Sequence, residues 1–92
     1  MKKHTLTRIS EEAFHELTRI KQTTSLPHQT VMQLAIAKEV TESDLLKYQV
    51  SKGRKHIRIS QDALATLKAL NGFKIDIARL LSLKIHKLSL EV

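Results

Sequence analysis

Residues 6–20, LTRISEEAFHELTRI, and residues 56–70, HIRISQDALATLKAL, are two copies of one pattern set 50 positions apart. Five of the fifteen pairs are identical: Arg8/Arg58, Ile9/Ile59, Ser10/Ser60, Ala13/Ala63 and Leu17/Leu67. Four more are conservative: Glu11/Gln61, Glu12/Asp62, Phe14/Leu64 and Ile20/Leu70. A duplicated unit this short cannot bury its own apolar face. It must pack against its twin, which makes repetition the first organising fact of the chain.

Each copy opens on alternation. In residues 4–9 one face carries Thr5, Thr7 and Ile9, and the other His4, Leu6 and Arg8. Around residues 54–59 one face carries Lys55, Ile57 and Ile59, and the other Arg54, His56 and Arg58. Period two with β-branched residues predicts a short strand in both places. Ser10 and Ser60 follow, each leading into acidic or amide residues. A serine hydroxyl accepts from an unpaired N–H of the first helical turn, and negative charge there suits the helix dipole. Downstream, Ala13, Phe14, Leu17 and Ile20, with Ala63, Leu64, Leu67 and Leu70, fall on one helical stripe.

A second helix is expected in each copy. In the first, residues 22–25 read as a loop, Ser25 or a neighbour as the cap and Pro27 as an early helical position. Val31, Leu34, Ala35 and Val40 then continue the apolar side. In the second, Asn71-Gly72 ends the preceding helix, and Ile77, Leu80, Leu81, Leu83, Lys84, Ile85 and Leu88 make a helix suited to the centre of a core. Residues 41–53 connect the copies, with room for one short extra helix. The organisation is one domain over 1–92: copy one at 1–40, the connector at 41–53, copy two at 54–92.

The 92-residue length suits a single small domain. Apolar residues make up 41% and aromatics 3%, so the core is aliphatic. There is no cysteine, hence no disulfide framework or thiolate chemistry, which fits a reducing cytoplasm. No apolar run approaches a membrane span or signal peptide, so the expectation is a soluble, cytoplasmic protein with no membrane partner. The net charge is +7. Residues 1–10 and 45–61 hold eight of the 16 basic residues and none of the nine acidic ones. Paired repeats would merge these windows into one patch that attracts polyanions.

Strand, serine-capped helix, loop and second helix, with basic residues alternating along the strand, resembles the ribbon-helix-helix family of DNA-binding proteins, the Arc and MetJ type. The match is carried by Thr7-Arg8-Ile9-Ser10-Glu11-Glu12-Ala13-Phe14 with Leu17 and Ile20, and by Ile57-Arg58-Ile59-Ser60-Gln61-Asp62-Ala63-Leu64 with Leu67 and Leu70. Val31-Met32-Gln33-Leu34-Ala35-Ile36 extends it, although Gln33 stands where the family carries a basic residue; Ile77-Ala78-Arg79-Leu80-Leu81 is the counterpart in copy two. The resemblance implies a mainly α fold with a two-stranded antiparallel ribbon, β-α-α-β-α-α, closed as an intramolecular pseudo-dimer. Strand 4–9 would pair with strand 55–59 and lie in the major groove of double-stranded DNA. Tethering both copies in one chain removes the concentration dependence of assembly.

On that arrangement His4, Leu6, Arg8, Arg54, His56 and Arg58 are the expected base contacts. Arginine bonds guanine O6 and N7 in bidentate fashion, and Leu6 suits a thymine methyl or the ribbon edge. Because Leu6 stands where copy two has His56, an imperfect palindrome or asymmetric site is expected. By family position, phosphates fall to the N-termini of the second helices, around Pro27, His28 and Gln29 and around Phe73, Lys74 and Ile75. Lys2, Lys3, Lys52 and Lys55 add non-specific attraction.

An enzyme is not expected. The five histidines lack metal-ligand spacing, no Gly-rich phosphate loop is present, and Ser10 and Ser60 are accounted for as caps, so no metal or cofactor is assigned. Three uses stay open: a transcriptional repressor of a phage, plasmid or autoregulated operon; an accessory factor of a conjugative relaxosome; and an antitoxin-like module holding a protein partner. Self-association of pseudo-dimers on DNA is open too, and DNA binding implies a nucleoid-associated location.

Overall fold

The two alternating segments close on each other. The computed structural model describes residues 4–48, 53–72 and 75–92. In it, β1 is His4–Ile9 and β2 is Lys55–Ser60. They pair antiparallel, with Leu6 opposite Arg58, Thr7 opposite Ile57 and Arg8 opposite His56. Thr7 and Ile57 are repeat equivalents facing each other, so a local twofold passes through the ribbon between them. A lone two-stranded ribbon is only marginally stable in water. This one is anchored by Ile9, Ile57 and Ile59, all turned down into the core.

Five helices complete the described residues: α1 Glu11–Thr24, α2 His28–Ile36, α3 Glu42–Lys47, α4 Gln61–Leu70 and α5 Ile77–Ser89. Both serine caps form as expected. Ser10 Oγ accepts from the Ala13 N–H and Ser60 Oγ from the Ala63 N–H, each at 3.1 Å. The backbone N–H of Ser10 donates to Ser82 Oγ at 2.9 Å, and that hydroxyl donates to the Ala78 carbonyl at 2.6 Å. One buried serine of α5 thus satisfies the amide at the junction between ribbon and α1.

The interior joins Ala13, Leu17 and Ile20 to Val31, Met32, Ala35 and Ile36, with Leu67 and with Leu80, Leu81, Ile85 and Leu88. Helix α5 is its axis, with every residue from Leu80 to Ile85 buried. Lys84 lies in this run because its ammonium finds acceptors: Nζ donates to the Ile36 carbonyl at 3.0 Å and also to that of Lys38. These are carbonyls at and just beyond the end of α2, where the helix dipole favours a cation. Burial nevertheless pushes the Lys84 ammonium below its ordinary value.

Several local expectations are corrected. Residues 22–24 are not loop: α1 runs on to Thr24, whose hydroxyl donates to the Ile20 carbonyl at 2.7 Å. The helix stops because Ser25 turns left-handed, φ 57°, and its N–H closes on the Lys21 carbonyl. Ser25 therefore ends α1 instead of capping α2, and Pro27 is the N-cap of α2 with extended ψ, not a helical residue. Helix α2 ends at Ile36, which leaves Val40 beyond it, and Leu34 and Leu70 are exposed despite their places on the expected stripes.

The physical reason lies in helix length. Shifted by 50, α4 lacks the last turn of α1, and α2 lacks the last three residues of α5. The two long helices pack against each other, so Ile20 is 1% exposed while its repeat equivalent Leu70 is 53% exposed. Beside Leu70 a groove of about 360 Å³ opens between α2 and α4, lined by Met32, Ile36, Ala63 and Thr66 among others.

The expected connector helix is α3. Thr41 caps it in a capping box, Thr41 N–H to Asp44 Oδ2 at 2.8 Å and Asp44 N–H to Thr41 Oγ1 at 3.3 Å. Lys87 of α5 reaches the same carboxylate at 2.8 Å. The Lys87 hydrogen bond first, then the Thr41 N–H, hold the Asp44 carboxyl at about 2, below its ordinary 3.8. Because the folded value is the lower one, this contribution is whole above the unfolded value and drains away as pH falls from about 4 through about 2. Chemical denaturation of wild type and Asp44→Asn across pH 2–7 tests this: the wild type's advantage at neutral pH should shrink through that window. A pH-independent gap would remove Asp44 from the account.

Candidate nucleic-acid interface

Strand alternation sends the even-numbered residues away from the helices. His4, Leu6 and Arg8 of β1 and His56 and Arg58 of β2 are all exposed on the outer face, and the exposed Arg54 immediately precedes β2. The Arg54 N–H donates to the Ile9 carbonyl at 3.0 Å, which ties this residue to the end of the ribbon. Leu6 stands 63% exposed beside Arg58. None of the six carries negative charge, and opposite them across the ribbon lies the apolar core.

The outer side chains are not equally free. Arg8 Nε donates to His56 Nε2 at 3.3 Å, across the directly opposed pair. For that nitrogen to accept, the imidazole proton sits on Nδ1. The bond uses Nε, not the terminal nitrogens, of the exposed Arg8. Arg58 has Leu6 opposite it, which offers no such partner.

The expected phosphate contacts divide. His28 and Gln29 sit at the N-terminus of α2, but their side chains turn to the ribbon. His28 Nε2 donates to the Arg58 carbonyl at 2.8 Å, and Gln29 Nε2 approaches the same oxygen at 3.4 Å. They brace β2 under one of the candidate arginines. Lys55 lies at the ribbon end opposite Ile9, with Nζ 5.7 Å from the Phe14 ring centroid, a cation–π contact. Ile75 is clamped by Asn71, whose amide donates to its carbonyl at 2.6 Å, and α5 begins two residues later at Ile77. Lys2, Lys3, Lys52, Phe73 and Lys74 lie outside the described residues.

Two residues that shape the face carried little signal in the sequence. Ser82 ties α5 to the residue after β1, but as one serine in an aliphatic helix it reads as a surface position. Gly53 reads only as the end of the connector. A Cβ there would stand 2.9 Å from Arg8 Cβ and 3.0 Å from Ala78 Cβ, where neither neighbour is a flexible side-chain end. The chain can enter β2 close beneath Arg8 only because this residue has no side chain.

Elsewhere, Glu16 Oε2 accepts from Ser89 Oγ at 2.6 Å and lies 2.7 Å from His86 Nδ1, joining α1 to α5. Among the described residues no group of His, Asp or Glu is arranged to hold a metal ion. Nor, among them, is any helix long and apolar enough to cross a membrane. No protein-family model, curated protein or solved structure matches the chain.

Gly53→Ala is expected to cost about 1–3 kcal/mol, as overpacking does, and to displace the ribbon end. Thermal unfolding together with amide chemical shifts of Arg8 and Ile9 checks this. An unshifted, equally stable variant would show that the close approach is not limiting.

Proposed function

We propose that this chain binds double-stranded DNA in a sequence-specific manner through its β-ribbon, and that it acts as a transcriptional repressor. The observation that carries the proposal is the outer face of the ribbon: His4, Leu6 and Arg8 on one strand, His56 and Arg58 on the other, no carboxylate among them, and an apolar floor beneath. A two-stranded ribbon fits a major groove about 12 Å wide, and arginine is the side chain best suited to a guanine edge there.

Two further features support the tandem ribbon-helix-helix reading. The 50-residue repeat pairs about its own midpoint, Thr7 opposite Ile57, as a pseudo-dimer requires. Both copies also place a serine-capped helix directly after the strand. On this reading residues 1–40 and 54–92 are the two half-units and 41–53 the tether. Repression is the economical use, because it requires only occupancy of an operator. The +7 charge adds a sequence-independent attraction that weakens as salt rises.

Titrations of Arg8→Ala, Arg58→Ala and Lys74→Ala on a selected site and on random duplex test the assignment. Each arginine variant should lose about 1–3 kcal/mol of discrimination, while Lys74→Ala should weaken both duplexes alike. Equal losses from all three would remove the arginines as readers.

A further inference from the structure

We infer that the ribbon reads a directional DNA core, and that the twofold-related positions Leu6 and His56 set its polarity. This rests on the DNA-binding function proposed above. The local twofold between Thr7 and Ile57 exchanges Arg8 with Arg58 and Leu6 with His56. The first exchange swaps like for like. The second replaces an apolar isobutyl group by an imidazole, so the twofold holds for the arginines and fails beside them.

Geometry then constrains the target. Arg58 lies opposite Leu6, and Arg8 is two residues further along β1. At about 3.4 Å per residue along the strand and about 5 Å between strands, their Cα atoms are about 8 Å apart on a diagonal. Duplex DNA rises about 3.4 Å per base pair, so the two guanidinium groups meet base pairs about two steps apart. Groups related by a twofold address opposite DNA strands, which calls for one guanine on each strand about two steps apart.

The flanking positions make the halves unlike. In the half under Arg58, Leu6 presents an exposed methyl surface that suits a thymine C5-methyl and offers no hydrogen bond to a base edge. In the half under Arg8, His56 accepts from Arg8 Nε and leaves its terminal nitrogens for guanine O6 and N7. That arginine is restrained before it meets DNA, whereas among the described residues Arg58 is braced at its backbone carbonyl, which accepts from His28. The ligand is therefore a duplex with paired guanines and a thymine on one side alone, bound in one orientation.

The experiment is selection from a duplex library randomised at the central base pairs, followed by titration of the selected core and of the two palindromes built from its halves. Wild type should favour the asymmetric core over both palindromes by about fivefold or more, the loss typical of one mismatched pair. Leu6→His makes the inner pair of positions identical on an exposed site, so folding should be unaffected, as thermal unfolding will verify. Its preference should move to the palindrome built from the His56 half. A palindromic wild-type consensus, or an unchanged asymmetric one in Leu6→His, overturns the inference but leaves DNA reading intact. Binding without sequence preference, or no duplex binding, overturns both.

Discussion

The backbone ladder between residues 4–9 and 55–60 is the constraint on which the other contacts depend. It joins segments about 50 residues apart, and only when they pair do Ile9, Ile57 and Ile59 point together into one floor. Register matters more than pairing itself. A slip of one residue would exchange the two faces of a strand, lifting isoleucines into water and driving arginines inward. The cost of burying an unpaired charge makes that alternative untenable. Placing Thr7 opposite Ile57 therefore aligns the apolar faces and the outward cations in one step.

Beneath the ribbon the repeat is followed unevenly. Helices α1 and α5 are the longer members of their kinds, and they pack against each other and fill one side of the core. The other side, α2 against α4, is short and leaves Leu70 at the surface. The helices on the two sides of the ribbon therefore differ in length and in what they bury. The same divergence shows on the outer face, where Arg8 and Arg58 remain alike while Leu6 and His56 do not. Like arginines preserve the basic character of the face, and their unlike neighbours make its two halves differ.

Helix α5 carries polar groups that its apolar surroundings would reject without partners. Ser82 meets the amide of Ser10, and Lys84 meets carbonyls at and beyond the end of α2. Each such bond adds only about 1 kcal/mol, but leaving a buried group unpaired costs about 1–3 kcal/mol. These side chains accordingly specify which helix end sits against which, more than they add net stability. Through Lys87 and Asp44 the same helix also holds α3, so this short helix is pinned to the core.

Local pattern alone revealed the repeat, both strands with their outward and inward faces, both serine caps, the short helix in the connector and the central place of residues 77–88. Each depends on interactions within a few residues, or on a periodicity that one sequence displays in full. Tertiary structure decided where α1 ends, because the left-handed turn at Ser25 has no composition signal of its own. It decided that Leu34 and Leu70 stay exposed, since burial depends on which distant element packs over a position. It also set His28 and Gln29 against the Arg58 carbonyl, and it required the missing side chain at Gly53. These are contacts between distant segments, whose partners become defined only when the chain has closed.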